Sequence, residues 1–456
     1  MPFSNEIRAG ASGAQSTEFY NDVTSRSLRL EKDDSSYLNF TNGTATDISK
    51  WTVNFWWKQG EHTLSYADDY VTLWGVEGPG TTSFSFIEGD LHFYLNYNSG
   101  GSQIVLRSNR KFRDPSAWYN FHVKFDRAQG TAANRLKIFV NGVDLDDEGG
   151  YSTDQRSTIA SDSSSGWNVS GTSAAIGRRS GDTASRYSQG YMAYFHNIDG
   201  QYLDATDFIQ IKDGVCVPKL YSGSYGNNGW KLEFLQTGTG TASSSTIGAD
   251  TSGNDNHWTS NNLASTDIML DHPENNFCTL NPVAYTTIGT LTQGNLTLAT
   301  STNNRAVHGT FSLPPSGKWY YEVHIDSVQS GGAIYYGWST DTSLGVDEYA
   351  PSKGIFFSSY NEQVLLDGSG QSGGYGSTGT DRGSNGDIYS ILLDVDNGRF
   401  YYAKNGTYFN SADPAAGTGG LDVSATLTAA DTRVTPCLSR GGSYNETYSV
   451  NFGQDS

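Results

Sequence analysis

At 456 residues the chain is too long for one sandwich-sized domain and suits two to three. Only 17% of its residues are charged, 13% are aromatic and 53 are glycine, a composition that marks a folded, tyrosine-rich chain and excludes a wholly disordered one. A formal net charge of −19 disfavours nucleic acid and anionic membranes, which would repel it, and leaves a neutral glycan or a protein surface as partner.

The first twenty residues are small and polar, with a Gly10–Ala14 run, and fit either a disordered tail or an arm that orders on an assembly. Met1–Gly10 lacks the apolar core of a secretory signal, so none is expected there. No apolar run of about eighteen residues occurs, so no membrane insertion is expected. Helical periodicity is almost absent, and short alternating segments recur between Gly, Asn, Asp and Ser clusters. Trp51–Trp57 and Asn120–Phe125 alternate, and Leu136–Val140 runs into Asn141-Gly142, a strong hairpin signal. Residues 21–235 thus read as one sandwich, opening at Ser27–Leu30 and closing near Gly229–Phe234. Residues 236–276, rich in Gly, Ser, Thr and Asn, read as a linker, and 277–456 as a second sandwich with its own hairpin at Arg399–Gly406. The fold class expected is all-β, with two antiparallel β-sandwich (jelly-roll) domains in tandem behind a short N-terminal arm, 1–20. No short period supports a propeller or β-helix.

Cys216, Cys278 and Cys437 are far apart, odd in number and in no C-x-x-C pair. That excludes a disulfide framework and a cysteine zinc site, and implies buried thiols in a chain made in a reducing cytoplasm.

Several constellations could carry chemistry. Asp144, Asp146 and Glu148 would share one face if their segment were a strand, as a glycosidase acid and nucleophile must. They follow the Asn141-Gly142 turn and run into Gly149-Gly150, so a short solvated segment is expected and no residue is assigned as catalytic. Asp250, Ser252, Asn254 and Asn256 alternate like calcium ligands, but a closing Glu is missing and Asx turns account for them. No cofactor or metal ligand is therefore assigned, with calcium left open. Asp394, Asp396, Asn397 and Gly398 fit a hairpin, and Glu322 is expected to pair with a cation on the polar face of the strand Trp319–Ile325. No G-x-S-x-G or P-loop occurs. Glycan sites need flat rings beside amides or carboxylates. Tyr94 and Tyr97, beside Asn96 and Asn98, supply these, as do Tyr221, Tyr225, Asn227 and Asn228. In the second half Tyr349, Tyr360, Asn361, Tyr375, Arg382 and Tyr444 lie on glycine-rich connections. The ligand-binding candidates are Tyr94, Tyr97, Tyr349, Tyr360, Asn361, Tyr375, Arg382 and Tyr444.

The second half resembles a SPRY domain through an ordered set: Gly317–Val323, Tyr336–Ser339, Asn385–Ile388 before Ser390–Asp396, Lys404–Gly406 and Val450–Gln454. That resemblance implies a bent sandwich that binds partners through its loops, without a known catalytic role. The first half resembles, more loosely, concanavalin A-like and laminin-G-like jelly rolls at Trp51–Lys58, Trp118–Val123, Leu136–Gly142, Ala175–Gly177 and Gly190–Phe195. Members of those families often bind glycans, and some bind calcium. The arm, the jelly roll, the stretches Asp250–Trp258 and Asp271–Pro282, and the SPRY-like half together resemble tailed-bacteriophage virion proteins. That resemblance implies a structural protein of the virion, made in the host cytoplasm, of tail fibre or other surface-appendage type. It would dock on other virion proteins through Phe3, Ile7 and Arg8 and bind host-surface glycan or receptor. A homo-oligomer is expected, a trimer if it forms a fibre. The alternatives are a head decoration protein without a receptor role, or a glycan depolymerase on the jelly-roll fold.

Overall fold

The computed structural model describes residues 19–60, 71–77, 81–87, 89–96, 103–159, 165–179, 186–283, 289–300, 305–329, 333–340, 353–359, 363–371, 383–429, 434–441 and 444–455. The chain is all-β, as the alternating segments predict, and divides between residues 275 and 276 into two units.

Among the described residues the first unit contains a two-stranded sheet, Ile209–Lys212 with Val215–Pro218, and two large ones. One runs, in spatial order, Val143–Asp144, Leu136–Val140, Trp118–Asp126, Lys50–Gln59, Gly190–Asp199, Ser27–Leu30 and Ile268–Met269, with Trp230–Leu232 also on Gly190–Asp199. The other runs Tyr151–Asp154, Gln103–Lys111, Asp90–Asn96, Thr82–Ile87, Val71–Glu77, Ser173–Ile176, Tyr37–Thr41 and Thr259–Asn261. All strand pairings among the described residues are antiparallel, and the expected hairpin is present: Val140 pairs Val143 across Asn141 (φ 50°) and Gly142 (φ 82°). A turn with two positive φ values twists in the sense of its strands and favours Asn-Gly. The two sheets enclose Trp51, Phe55, Trp74, Phe84, Phe121, Trp167 and Phe195, with ring centroids such as Trp74–Trp167 at 4.7 Å.

Residues 236–275 differ from the expected linker. They belong to the first unit: Ile268 and Met269 pair with Leu28 and Ser27, and Thr259–Asn261 with Tyr37–Asn39. Trp258 is fully buried, stacked on Phe40 at 5.5 Å and edge-on to Trp230 at 4.9 Å. Single apolar anchors (Ile247, Trp258, Leu263, Met269) spaced among polar residues hold this stretch, which is why its average composition reads as a linker.

In the second unit one sheet runs Gly289–Thr292, Thr297–Thr300, Glu446–Asn451, Lys318–Ser327, Ile388–Asp394, Arg399–Lys404 and Thr407–Tyr408, with Leu421–Asp422 also on Arg399–Lys404. The other runs Arg305–His308, Thr435–Gly441, Ala333–Ser339, Gly354–Ser358, Gln363–Leu366 and Ser369–Gly370. Aromatic pairs join them, among them Tyr321–Trp338 at 5.2 Å and Phe357–Tyr402 at 4.3 Å. Asn405 (φ 48°) and Gly406 (φ 77°) turn the second expected hairpin, with Lys404 opposite Thr407. Among the described residues, no helix is long and apolar enough to cross a membrane.

Candidate functional site

The acidic run after Asn141-Gly142 has a structural duty. Only Val143–Asp144 is strand. Asp144 and Asp146 lie 2.9 and 2.7 Å from the Lys137 ammonium, Asp146 and Asp154 both hold Arg156, and Glu148 pairs with Arg110. Hydrogen bonds from Arg156 hold the Asp146 carboxyl well below the usual carboxylate range, at about 2. An acid needed as a proton donor is tuned in the opposite direction.

Asp250 centres a closed Asx turn. Its Oδ1 accepts the N–H groups of Lys231 and Ser252, and its Oδ2 accepts the Ser252 hydroxyl and the Asn256 N–H, all at 2.8–2.9 Å. Asn254 and Asn256 donate to carbonyls of Gly226, Asn227 and Gly229. No group of three His, Cys, Asp or Glu side chains able to hold a metal occurs among the described residues. None of the three cysteines is in a disulfide; Cys278 and Cys437 are buried, and Cys216 is partly exposed, with burial pushing its thiol up to about 12.

Tyr94 lies on the strand Asp90–Asn96, on the face away from the core. Antiparallel register aligns Val105, Tyr94, Ser83, Gly75, Ala175 and Asn39 in one row across the sheet. A Cβ on Gly75 would meet the Thr82 carbonyl at 2.8 Å, so the middle of the row admits only small side chains. Ser83 and Ala175 are buried, and that strip is closed to water while Tyr94 and Asn39 stay half-exposed at its margins. In the neighbouring row His92 is held down at about 4 by burial and by Arg107.

The other aromatic candidates divide. Tyr225 is buried with its hydroxyl 3.0 Å from His196 Nδ1, and Asn228 is buried between the Gly43 and Asn168 carbonyls; both are structural. Tyr221 stacks on Phe208 at 4.7 Å and stays partly exposed. Tyr444 is half-exposed, its ring 5.9 Å from the Arg440 guanidinium. Tyr97, Tyr349, Tyr360, Asn361, Tyr375 and Arg382 lie outside the described residues, as do Phe3, Ile7 and Arg8. Glu322 accepts the Tyr320 hydroxyl rather than the expected cation.

The turns at one end of the second unit form a feature that the sequence reading missed. Lys318, Asn397, Arg399 and Ala415–Gly417 line an open recess of about 500 Å³. Lys318 starts a central strand, Asn397 lies in a hairpin turn and Arg399 follows it, and the loop 413–418 approaches them from more than a dozen residues later. No short-range spacing announces such a meeting.

Residues 318–455 match the SPRY domain family model. No curated protein matches the sequence. Among solved structures, the SPRY domain of human HERC1 is 14% identical, covering 34% of this chain and 87% of that one, with a TM-score of 0.26. A putative carbohydrate binding protein from Bacteroides ovatus is 16% identical over 52% of this chain and 58% of its own, with a TM-score of 0.34. Mouse laminin alpha1 chain domains LG4-5 are 10% identical over 99% and 93%, with a TM-score of 0.30. None of these reaches a TM-score of 0.5, so the fold rests on the strands themselves. The stretch that matches the SPRY domain model, 318–455, falls within the second unit.

Proposed function

We propose that this chain is a recognition protein and not an enzyme, binding glycan or receptor through β-sandwich loops at the surface of a tailed-bacteriophage virion. The observation that carries the binding reading is the SPRY match over 318–455, a domain type that engages partners through its loops. Its support comes from the acids of the first unit: Asp144, Asp146 and Glu148 are each paired with a cation, Lys137, Arg156 and Arg110. The virion assignment, as tail fibre or head decoration protein, rests on the resemblance of the arm, the two halves and the joining stretches in the sequence. In that setting the chain is made in the host cytoplasm, docks on other virion proteins through Phe3, Ile7 and Arg8, and assembles as a homo-oligomer.

Immunogold electron microscopy of purified particles tests the virion assignment. Gold at a fixed position is expected, and its place separates tail fibre from head decoration; bare particles would remove it. The binding reading is tested separately on a glycan array with the full chain. Release of reducing ends by the wild-type chain, abolished in Glu148→Gln, would establish a depolymerase instead.

A further inference from the structure

The recess at the turn end of the SPRY unit carries a chemistry of its own. Its lining holds two cations, Lys318 and Arg399, one amide, Asn397, and no carboxylate, in a chain of net charge −19. The loop beside it is rigidly closed. Asp413 and Thr418 exchange both backbone hydrogen bonds at 3.0 Å, and Asp413 Oδ1 accepts the N–H groups of Ala415 and Ala416. Gly417 has φ 70°, and nothing stands within 4 Å of where its Cβ would be, so the mouth is open on that side.

The acids around the recess are spent on local turns. Asp394 is fully buried and accepts the backbone N–H and one side-chain amide N–H of Asn397, Asp396 accepts the Gly317 N–H, and Asp422 accepts the Ser424 N–H. Lys318 donates to the Pro414 carbonyl at 3.2 Å and lies 3.5 Å from Asp394, which leaves an ammonium N–H for a ligand. Arg399 touches Asp422 at 3.4 Å, with side chains 37% and 62% exposed. A long, solvated pair of this kind is weak, and a guanidinium fork prefers a bidentate carboxylate. Asn397 is exposed and offers its amide oxygen to a hydroxyl. The lining has no apolar slot beyond two alanine methyl groups, which disfavours a peptide side-chain anchor and suits a hydroxyl-rich ligand.

We propose that this recess binds an acidic saccharide residue. Arg399 takes the carboxylate of a uronate in place of Asp422, Lys318 supplies the second positive charge, and Asn397 accepts a ring hydroxyl. This rests on the reading of the chain as a glycan-recognising protein and adds to it the site and the charge of the ligand.

The test is calorimetric titration of the full chain with galacturonic acid oligomers, neutral galactose oligomers and poly-glutamate. Binding of the galacturonate oligomers alone is expected, weakening as salt rises. Arg399→Gln should weaken it by roughly ten- to a hundredfold, the change that follows from losing hydrogen bonds to a charged group. Asp422→Asn keeps the acceptor for the Ser424 N–H but removes the competing charge, and should tighten binding, a gain that misfolding cannot imitate. The inference is overturned if Arg399→Gln binds as wild type does, or if galactose oligomers or poly-glutamate bind equally well. If the chain retains neutral glycans on an array but no uronate, this inference alone fails; if it retains no glycan of any kind, the glycan reading fails with it.

Discussion

Two central strands, Lys50–Gln59 in the first unit and Lys318–Ser327 in the second, sit at equivalent places in their sheets but are treated differently. Both alternate in sequence. In Lys318–Ser327 the alternation appears as burial: Trp319, Tyr321, Val323 and Ile325 are inside, and the residues between them are partly exposed. In Lys50–Gln59 both faces are buried. Trp51, Val53, Phe55 and Trp57 enter the apolar core, while Thr52, Asn54, Trp56 and Lys58 are sealed on the other side. Residues from about 200 to 275 form that second cover. Thr52 donates to the Gln201 carbonyl, Asn54 and Asn120 bond reciprocally, Lys124 holds Asp204 at 2.5 Å, and the fully buried Lys58 ammonium lies 2.7 Å from Asp271, which also accepts Trp118 Nε1–H. The first unit has closed a polar sheet face with matched polar partners; the second unit leaves the corresponding face partly exposed.

The sharpest way to break this comparison is Asp271→Ala. It removes the carboxylate that lies 2.7 Å from a fully buried ammonium, and the first unit should lose about 3–5 kcal/mol of stability in urea melts of the full chain. The double replacement Lys58→Met with Asp271→Leu should recover most of that loss. Trp258→Ala tests the other anchor of residues 236–275, in the apolar core against Phe40 and Trp230, with about 3 kcal/mol or more expected from the cavity. If either variant melts as wild type does, residues 236–275 are only a linker.

Acid sharpens the comparison further. Burial holds His122 at about 3 and His272 at about 4, both below the ordinary 6.5. The fold therefore favours the neutral ring while the unfolded chain takes up protons. The stabilisation is whole above about 6.5 and is lost as pH falls toward 4, on the order of 1 kcal/mol per buried ring per pH unit. The first unit's melting temperature should fall between pH 6.5 and 4 by thermal scanning, and less in His122→Gln.

The Arg156 cluster gives a smaller effect at lower pH. Asp146 sits at about 2 against 3.8, so its contribution is present above about 4 and disappears as pH falls through about 2. Arg156→Gln should flatten that last decline. On the SPRY unit's open face, Glu322→Gln still accepts the Tyr320 hydroxyl and should shift stability by no more than about 0.5 kcal/mol.

What the sequence discloses follows from the range of each interaction. The hairpins at Asn141-Gly142 and Asn405-Gly406 are local, because the turn's own φ requirements select the residues. Trp319–Ile325 is legible because one face meets a core and the other meets water. The double burial of Lys50–Gln59 is not, because Lys58 and Asp271 stand 213 positions apart and a covered polar face looks in sequence like a wet one. For the same reason Tyr225 and Asn228 pass for surface glycan contacts, although the structure uses them inside. The recess at Lys318, Asn397 and Arg399 is equally hidden, since three turns far apart in the chain build it.

The central claim, recognition without turnover, is tested most directly by placing the full chain on a glycan array and assaying the same glycans in parallel for released reducing ends. The account predicts that the chain retains one or more glycans and leaves them intact. Reducing ends appearing with the wild-type chain, and absent when Glu148 is replaced by Gln, would contradict it.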